Sequence, residues 1–238
     1  MEKAVEIVNL NYVYPDGTKA IEGMNLTVEK GSSLGIIGSN GAGKTTLLLH
    51  LNGIFYGSSV HGSGVKIFGE EVNKKNIKKI RRRVGLVFQN PDDQLFMPTV
   101  FEDIAFGLSY LDFSALEIKK KVSETLSLLH MEGYEDKVSH HLSDGEKKKI
   151  SLATVLVLNP DILVFDEPTI NLDPASKREF IELLKKFDHT KIIASHDLDM
   201  IKEICDKVIV MSGGRCVGEG KTLDILENKT LLAQNRLM

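Results

Sequence analysis

The sequence predicts an α/β fold: a mostly parallel core sheet, an antiparallel β region ahead of it, and a helical lobe inserted into it. Three observations carry this expectation. Short, fully apolar runs at 34–37 and 162–165 alternate with helix-period segments, as strands buried on both faces do between crossover helices. Two N-terminal segments alternate with period two, the pattern of half-buried antiparallel strands. Residues 91–158 carry helical periodicity and no convincing strand.

In order along the chain, Val5, Ile7 and Asn9 oppose Glu6, Val8 and Leu10, and Met24, Leu26 and Val28 oppose Asn25, Thr27 and Glu29, with an Asp16-Gly17 turn between the two strands. The run at 33–37 reads as a central strand, and 46–51 as a helix. Further strands are expected at 65–68 and 84–88. In the helical lobe Phe101, Ile104, Ala105 and Leu108 share one face, as do Ile118, Val122, Leu126 and Leu129. The core resumes after Pro160 with the strand 162–165. A helix follows, capped by Asp173 with Pro174 at its first position and given an apolar face by Phe180, Ile181, Leu183, Leu184 and Phe187. A strand at 191–194, a helix at 198–205 and a final hairpin about Gly213-Gly214 complete the pattern.

Composition bounds the possibilities. The 238 residues suit a single domain, 1–238, with a helical part at about 91–158. A content of 42% hydrophobic and 26% charged residues is that of a globular protein, and a net charge of −3 gives no global reason to expect nucleic acid as a partner. The longest apolar run, 150–158, is interrupted by Ser151 and Thr154 and is too short to span a bilayer, and Met1-Glu2-Lys3 has no apolar signal region, so a cytoplasmic location is expected. Cys205 and Cys216 make neither a metal site nor a disulfide framework, and read as buried or incidental thiols.

The strongest chemical signal is Gly38-Ser39-Asn40-Gly41-Ala42-Gly43-Lys44-Thr45-Thr46, which has the G-x-x-x-x-G-K-[ST] spacing between a strand and a helix. Glycines let backbone N–H groups line an anion nest at the start of a helix, where the dipole favours negative charge. Lys44 supplies a point charge for the outer phosphates of a nucleoside triphosphate, and the Thr45 hydroxyl suits Mg²⁺. Chance places this pattern in a chain of such length about once in a hundred.

Asp166 and Glu167 follow the apolar run 162–165, at the strand tip where parallel sheets bind ligands. Asp166 suits holding Mg²⁺ through its water shell, and Glu167 suits polarising an attacking water. His196 follows another strand and is expected on the same edge, able to touch the γ-phosphate or orient the water. Gln89 closes the strand at 84–88, with an amide oxygen able to reach a metal or a water. Two basic clusters remain. Lys78, Lys79 and Arg81, Arg82, Arg83 read as a solvated helix end, with contact to anionic lipid as the alternative. Lys147, Lys148 and Lys149 are open between a solvated face and a role in screening phosphates.

Together with Leu142-Ser143-Asp144-Gly145-Glu146 and Asn171-Leu172-Asp173, these residues form an ordered set that resembles the ATP-binding cassette (ABC) transporter ATPases over nearly the whole chain. The stretch Phe88-Gln89-Asn90-Pro91-Asp92-Asp93-Gln94-Leu95-Phe96, continuing through Pro98-Thr99-Val100 and Asp103-Ile104-Ala105-Phe106-Gly107, is similar to the ATPases of energy-coupling-factor importers of cobalt, nickel and vitamins. The resemblance implies a P-loop NTPase cassette with an N-terminal antiparallel β subdomain and an inserted helical subdomain. It also implies a head-to-tail pair with a second cassette, identical or not, that sandwiches two ATP molecules, and a place on the cytoplasmic face of a membrane beside a transmembrane coupling subunit and a substrate-binding membrane subunit. Tyr14 would stack on adenine. Ser143 and Gly145 would contact the γ-phosphate of the opposite site, Gln89 would sense Mg²⁺, Asp173 would couple the two sites, Glu167 would be the base and His196 the γ-phosphate switch.

The signature departs from the family's usual Leu-Ser-Gly-Gly-Gln. Ser143 with Glu146 fits a capping box, which could divert the serine hydroxyl. Asp144 adds negative charge near a triphosphate, so a weaker signature is expected. A kinase or GTPase reading lacks the Asn-Lys-x-Asp guanine loop. The alternative of a soluble ABC ATPase acting as a switch on ribosomes or DNA has neither tandem cassettes nor a zinc-holding cysteine cluster behind it.

Overall fold

The computed structural model describes residues 2–56 and 64–237; Met1 and Met238, the ends of the predicted domain, lie outside the described residues. The chain divides into two compact units. One comprises Met1–Leu86, Asp161–Glu167 and Asp188–Met238, the other Val87–Pro160 and Pro168–Phe187.

The first unit opens with β1 (Lys3–Val13) and β2 (Lys19–Glu29), then β3 (Ser33–Gly38), α1 (Lys44–Leu51), β4 (Gly64–Ile67), β5 (Glu70–Glu71), α2 (Ile77–Arg83) and β6 (Val84–Val87). A four-stranded sheet has the order β2-β1-β4-β5, with β1–β2, β1–β4 and β4–β5 antiparallel. Met24, Leu26 and Val28 are buried while Asn25 and Thr27 are exposed, as the alternation predicts. β1 departs from simple alternation. Asn9 has φ 44° and its N–H is held by the Asn25 side chain at 2.9 Å, and the register with β2 shifts between Ile7 and Leu10. This bulge returns Leu10 to the buried side with Val5 and Ile7, and leaves Asn9 exposed.

The second unit holds α3 (Val100–Phe106), α4 (Ala115–Leu128) and α5 (Asp144–Leu156), with no strand after Val87 among its described residues. Capping boxes at Thr99/Glu102, Ser114/Glu117 and Ser143/Glu146 start all three helices. After β7 (Ile162–Asp166), α6 (Pro174–Lys185) groups with this helical unit and not with the α/β core where sequence order put it. The unit therefore reaches beyond the expected span of about 91–158. Its reason lies in close packing of α6 on α5. A Cβ at Gly145 would lie 2.9 Å from Ser176 Oγ, so the bare glycine admits the start of α6.

The first unit resumes with β8 (Thr190–Ala194), α7 (Leu198–Ile204), β9 (Lys207–Ser212), β10 (Arg215–Lys221), α8 (Thr222–Glu227) and α9 (Lys229–Gln234). The hairpin β9–β10 is as predicted; α8 and α9 were not read from the sequence. The second sheet has six strands in the order β10-β9-β3-β8-β7-β6, with β9–β3, β3–β8 and β8–β7 parallel. Every residue of β3, β7 and β8 is buried, which explains the apolar runs at 34–37, 162–165 and 192–194. Register fixes the functional edge: Ile36 and Asp166 are both aligned with Ala194, so β7 and β8 end together and β3 runs two residues further, to Gly38.

Cys205 is buried, and burial pushes its thiol pKa up to about 12, which keeps it an unreactive thiol. The basic cluster at α2 is only partly solvated. Lys78 and Arg82 are exposed, whereas Arg83 pairs with Asp161 at 2.7 Å and lies over the Phe68 ring.

Candidate active site

β3 delivers the chain into the loop at Gly38 and α1 takes it up at Lys44. Gly41 and Gly43 stand at φ 78° and 99°, a region L side chains rarely adopt, and a Cβ at Gly43 would lie 2.4 Å from the Ala20 carbonyl. Gly38 admits no Cβ either, with the Met211 carbonyl at 2.5 Å. Ser39 and Asn40 lead into the turn, and Ala42 is buried at its base. The loop therefore wraps tightly into the start of α1, closed by the Ala42 N–H on the Ser39 carbonyl at 3.1 Å, the kind of turn whose remaining N–H groups can line an anion nest.

Lys44 is 7% exposed, and its ammonium is 2.8 Å from the Gly38 carbonyl and 3.7 Å from Glu167 Oε1. Lys44 and Glu167, far apart in sequence, thus meet at one sheet edge. The exposed Thr45 donates its hydroxyl to Asp166 Oδ2 at 2.7 Å, which places two hard oxygen donors side by side. Glu167 adopts φ 45°, and its Oε2 accepts from the Ser195 hydroxyl at 3.0 Å, the His196 N–H at 3.1 Å and His196 Nδ1 at 2.8 Å. A carboxylate beside a lysine at a phosphate-shaped loop can accept a proton from water, while the lysine neutralises phosphate charge.

Tyr14 follows β1 and donates to or accepts from the buried Thr46 hydroxyl at 2.8 Å. It belongs to an aromatic cluster in which Tyr12 stacks on Phe55, and Tyr14 and His50 meet Tyr12 edge to face. His50 is buried, and its Nδ1–H donates to the Thr46 carbonyl at 2.7 Å. Burial lowers its pKa, opposed by that bond. The unfolded chain therefore takes up the proton first as pH falls. The stability given by neutral His50 is complete above its unfolded value of about 6.5 and is lost as pH falls toward the folded value. Thermal midpoints measured from pH 7.5 to about 5 should fall less steeply in His50→Phe than in the wild type; equal slopes would exclude this contribution.

In the helical unit Ser143 donates its hydroxyl to Glu146 Oε2 at 2.8 Å, and Tyr134 donates to the other Glu146 oxygen, so the diversion foreseen for Ser143 is present. These bonds, Tyr134 first, hold the Glu146 carboxyl below its ordinary pKa. Asp144 is exposed. Asp173 caps α6 through the N–H groups of Ala175 and Ser176, with the Ser176 hydroxyl on its second oxygen. Gln89 is exposed, and its carbonyl accepts from the buried Lys148 ammonium at 2.5 Å. Gln94 accepts from the Phe88 N–H and donates to the Ser151 carbonyl and Thr154 hydroxyl of α5.

The triple lysine fits neither sequence reading. Lys147 pairs with Asp92, Lys149 with Glu179, and Lys148 is 1% exposed. Lys148 sits four and seven residues before the buried Leu152 and Val155, a helical spacing that could have identified it. Lys148, Gln94, Ser176 and Ser195 were all missed as partners of the predicted residues.

A profile of the ABC transporter family matches residues 21–170. The chain belongs to the ABC transporter family. As a member of it, the protein is an ATPase that binds ATP on a P-loop NTPase cassette fold. It is similar to the energy-coupling factor transporter ATP-binding protein EcfA of Carboxydothermus hydrogenoformans, with 46% identity over 240 residues, covering 100% of this chain and 87% of the relative. Among solved structures it is similar to cbiO1 from Clostridium perfringens, part of the ABC transporter complex cbiONQ, with a TM-score of 0.84, 36% identity, and coverage of 100% of this chain and 96% of that one. It is also similar to the dimeric ATP-binding cassette MJ0796 bound to ADP and Pi, with a TM-score of 0.80, 25% identity, and coverage of 92% of this chain and 98% of that one.

Proposed function

We propose that this ABC ATPase is the ATP-hydrolysing subunit of an energy-coupling-factor importer for a metal ion or a vitamin. The observation that carries the reading is the meeting of Lys44, Asp166, Glu167 and His196 at one sheet edge, in a chain that aligns end to end with a protein named EcfA. Lys44 and the N–H groups of 38–46 bind the phosphates, and Tyr14 stacks on adenine. Glu167 is the base and His196 the γ-phosphate switch. The oxygens of Thr45 and Asp166 suit Mg²⁺, a hard cation that takes oxygen ligands and supplies charge neutralisation at the phosphates, and the Gln89 amide oxygen is a donor of the same kind.

Ser143, Gly145 and Asp173 serve a second cassette, identical or not, in a head-to-tail pair, as the dimeric relative suggests. No helix among the described residues is long and apolar enough to cross a membrane. As in ATP-binding subunits of this type, the subunit is peripheral, held on the cytoplasmic face by a transmembrane coupling subunit that works with a substrate-binding membrane subunit. ATP favours the closed pair and hydrolysis releases it, a coupling that needs differential affinity for the two states. The ATPase does not touch the cargo, so the choice among cobalt, nickel and vitamins rests with the membrane partners.

Co-purification tests this reading: a polytopic membrane protein should accompany the tagged chain, and ribosomes or DNA in its place would favour the soluble switch. The signature gives a second test. Asp144→Gly removes a charge that opposes a triphosphate, so ATP affinity or turnover should rise severalfold, about 1 kcal/mol of relieved repulsion at an exposed site. No gain in either quantity would show that Asp144 points away from the nucleotide.

A further inference from the structure

We propose that Ser195 is a positioning residue of the ATPase site: its hydroxyl fixes the Glu167 carboxylate so that one oxygen, Oε1, is left as the proton acceptor. The inference rests on Glu167 being the base. Ser195 is fully buried at the end of β8, and its N–H donates to the Ile36 carbonyl of β3 at 3.0 Å. Its hydroxyl accepts from the Asp197 N–H at 3.1 Å and donates to Glu167 Oε2 at 3.0 Å. The side chain is thus held by the strand that feeds the phosphate loop and by the residue that caps α7.

Glu167 needs such a hold. Its backbone lies in the left-handed region, at φ 45°, and its N–H is fixed on the Ala194 carbonyl at 2.8 Å. Three donors converge on Oε2: the Ser195 hydroxyl, the His196 N–H and His196 Nδ1. Oε1 faces Lys44 instead, at 3.7 Å. Donors stabilise the charged carboxylate and occupy the lone pairs they touch. Oε2 is therefore filled, and Oε1 is the oxygen that opens when Lys44 turns to a triphosphate. In hydrolysis the water oxygen bonds to the γ-phosphorus, the bond from that phosphorus to the bridging oxygen of ADP breaks, and the water proton passes to Oε1. His196 is 60% exposed at its side chain and able to move, whereas Ser195 is buried and keeps its bond to Oε2 while His196 turns away.

The experiment compares Ser195→Ala, Ser195→Thr, Glu167→Gln and the double variant Ser195→Ala with Glu167→Gln. It reads ATP binding at equilibrium and kcat and KM at steady state. Ser195→Ala should bind ATP as the wild type does and lose about tenfold to a hundredfold in kcat with KM little changed, the size of a hydrogen bond to a charged group. Ser195→Thr restores the hydroxyl and should return kcat toward wild type. Added to Glu167→Gln, Ser195→Ala should cost nothing more.

Wild-type kcat in Ser195→Ala would overturn the proposal while leaving Glu167 as base. So would a loss of ATP binding shared by Ser195→Ala and Ser195→Thr, since that marks a purely structural role. Should Ser195→Ala not fold, Ser195→Cys, which keeps a weak donor, takes its place with the same expected directions. Turnover at the wild-type rate by Glu167→Gln is a different failure: it removes the base itself.

Discussion

Glu167→Gln should bind ATP, accumulate as a closed dimer and turn over at least about a hundredfold more slowly than the wild type, the usual worth of a positioned general base. The amide keeps the size of the carboxylate but cannot take a proton. Lys44 lies 3.7 Å from Glu167 Oε1, so the carboxylate competes with phosphate for the same cation. Removing that negative charge should therefore tighten ATP binding while it stops chemistry, and the dimer should persist because the step that opens it no longer occurs. Size-exclusion chromatography with ATP and with ADP reads the association, and phosphate release reads the turnover. Hydrolysis at an undiminished rate would remove Glu167 from its role.

Lys44→Ala should lose ATP binding itself, by about a hundredfold or more in Kd. A charge-assisted bond contributes about 1.5–3 kcal/mol, and an ammonium between two phosphates makes more than one. The nest of N–H groups remains in this variant, so weak binding should survive. Without nucleotide, Lys44 is held by the Gly38 and Ser39 carbonyls and by Glu167, all within the same buried corner. Its removal leaves a carboxylate 6% exposed with its cation gone, so the nucleotide-free variant should also melt at a lower temperature. Calorimetric titration with ATP checks the first effect and a thermal scan the second. Unchanged affinity would mean that the triphosphate does not occupy this loop.

Much of this was legible in the sequence because it depends on local rules. Residues 34–37 and 162–165 had no polar face to show, and both are strands buried on either side. The spacing of Gly38, Gly43, Lys44 and Thr45 fixes a strand–loop–helix turn by itself, and Asp173-Pro174 announces a helix start. The parts that escaped depend on distant partners. The bulge at Asn9 is held by Asn25 across the sheet, and nothing in the strand's own alternation reveals it. Lys147, Lys148 and Lys149 look alike as a run, yet burial separates Lys148 from its neighbours through the helix face it occupies. The grouping of α6 with the helical unit depends on Gly145 lacking a side chain against Ser176, a contact between segments about thirty residues apart. Ser195 has no signal of its own until Glu167 is seen against it.

The most direct measurement is a structure of the Glu167→Gln protein with ATP and Mg²⁺. The triphosphate should lie along 38–46, with the Lys44 ammonium moved off the Gly38 carbonyl onto its outer phosphates and the Thr45 and Asp166 oxygens turned toward the ion. A triphosphate bound elsewhere, with Lys44 still on Gly38, would contradict the account.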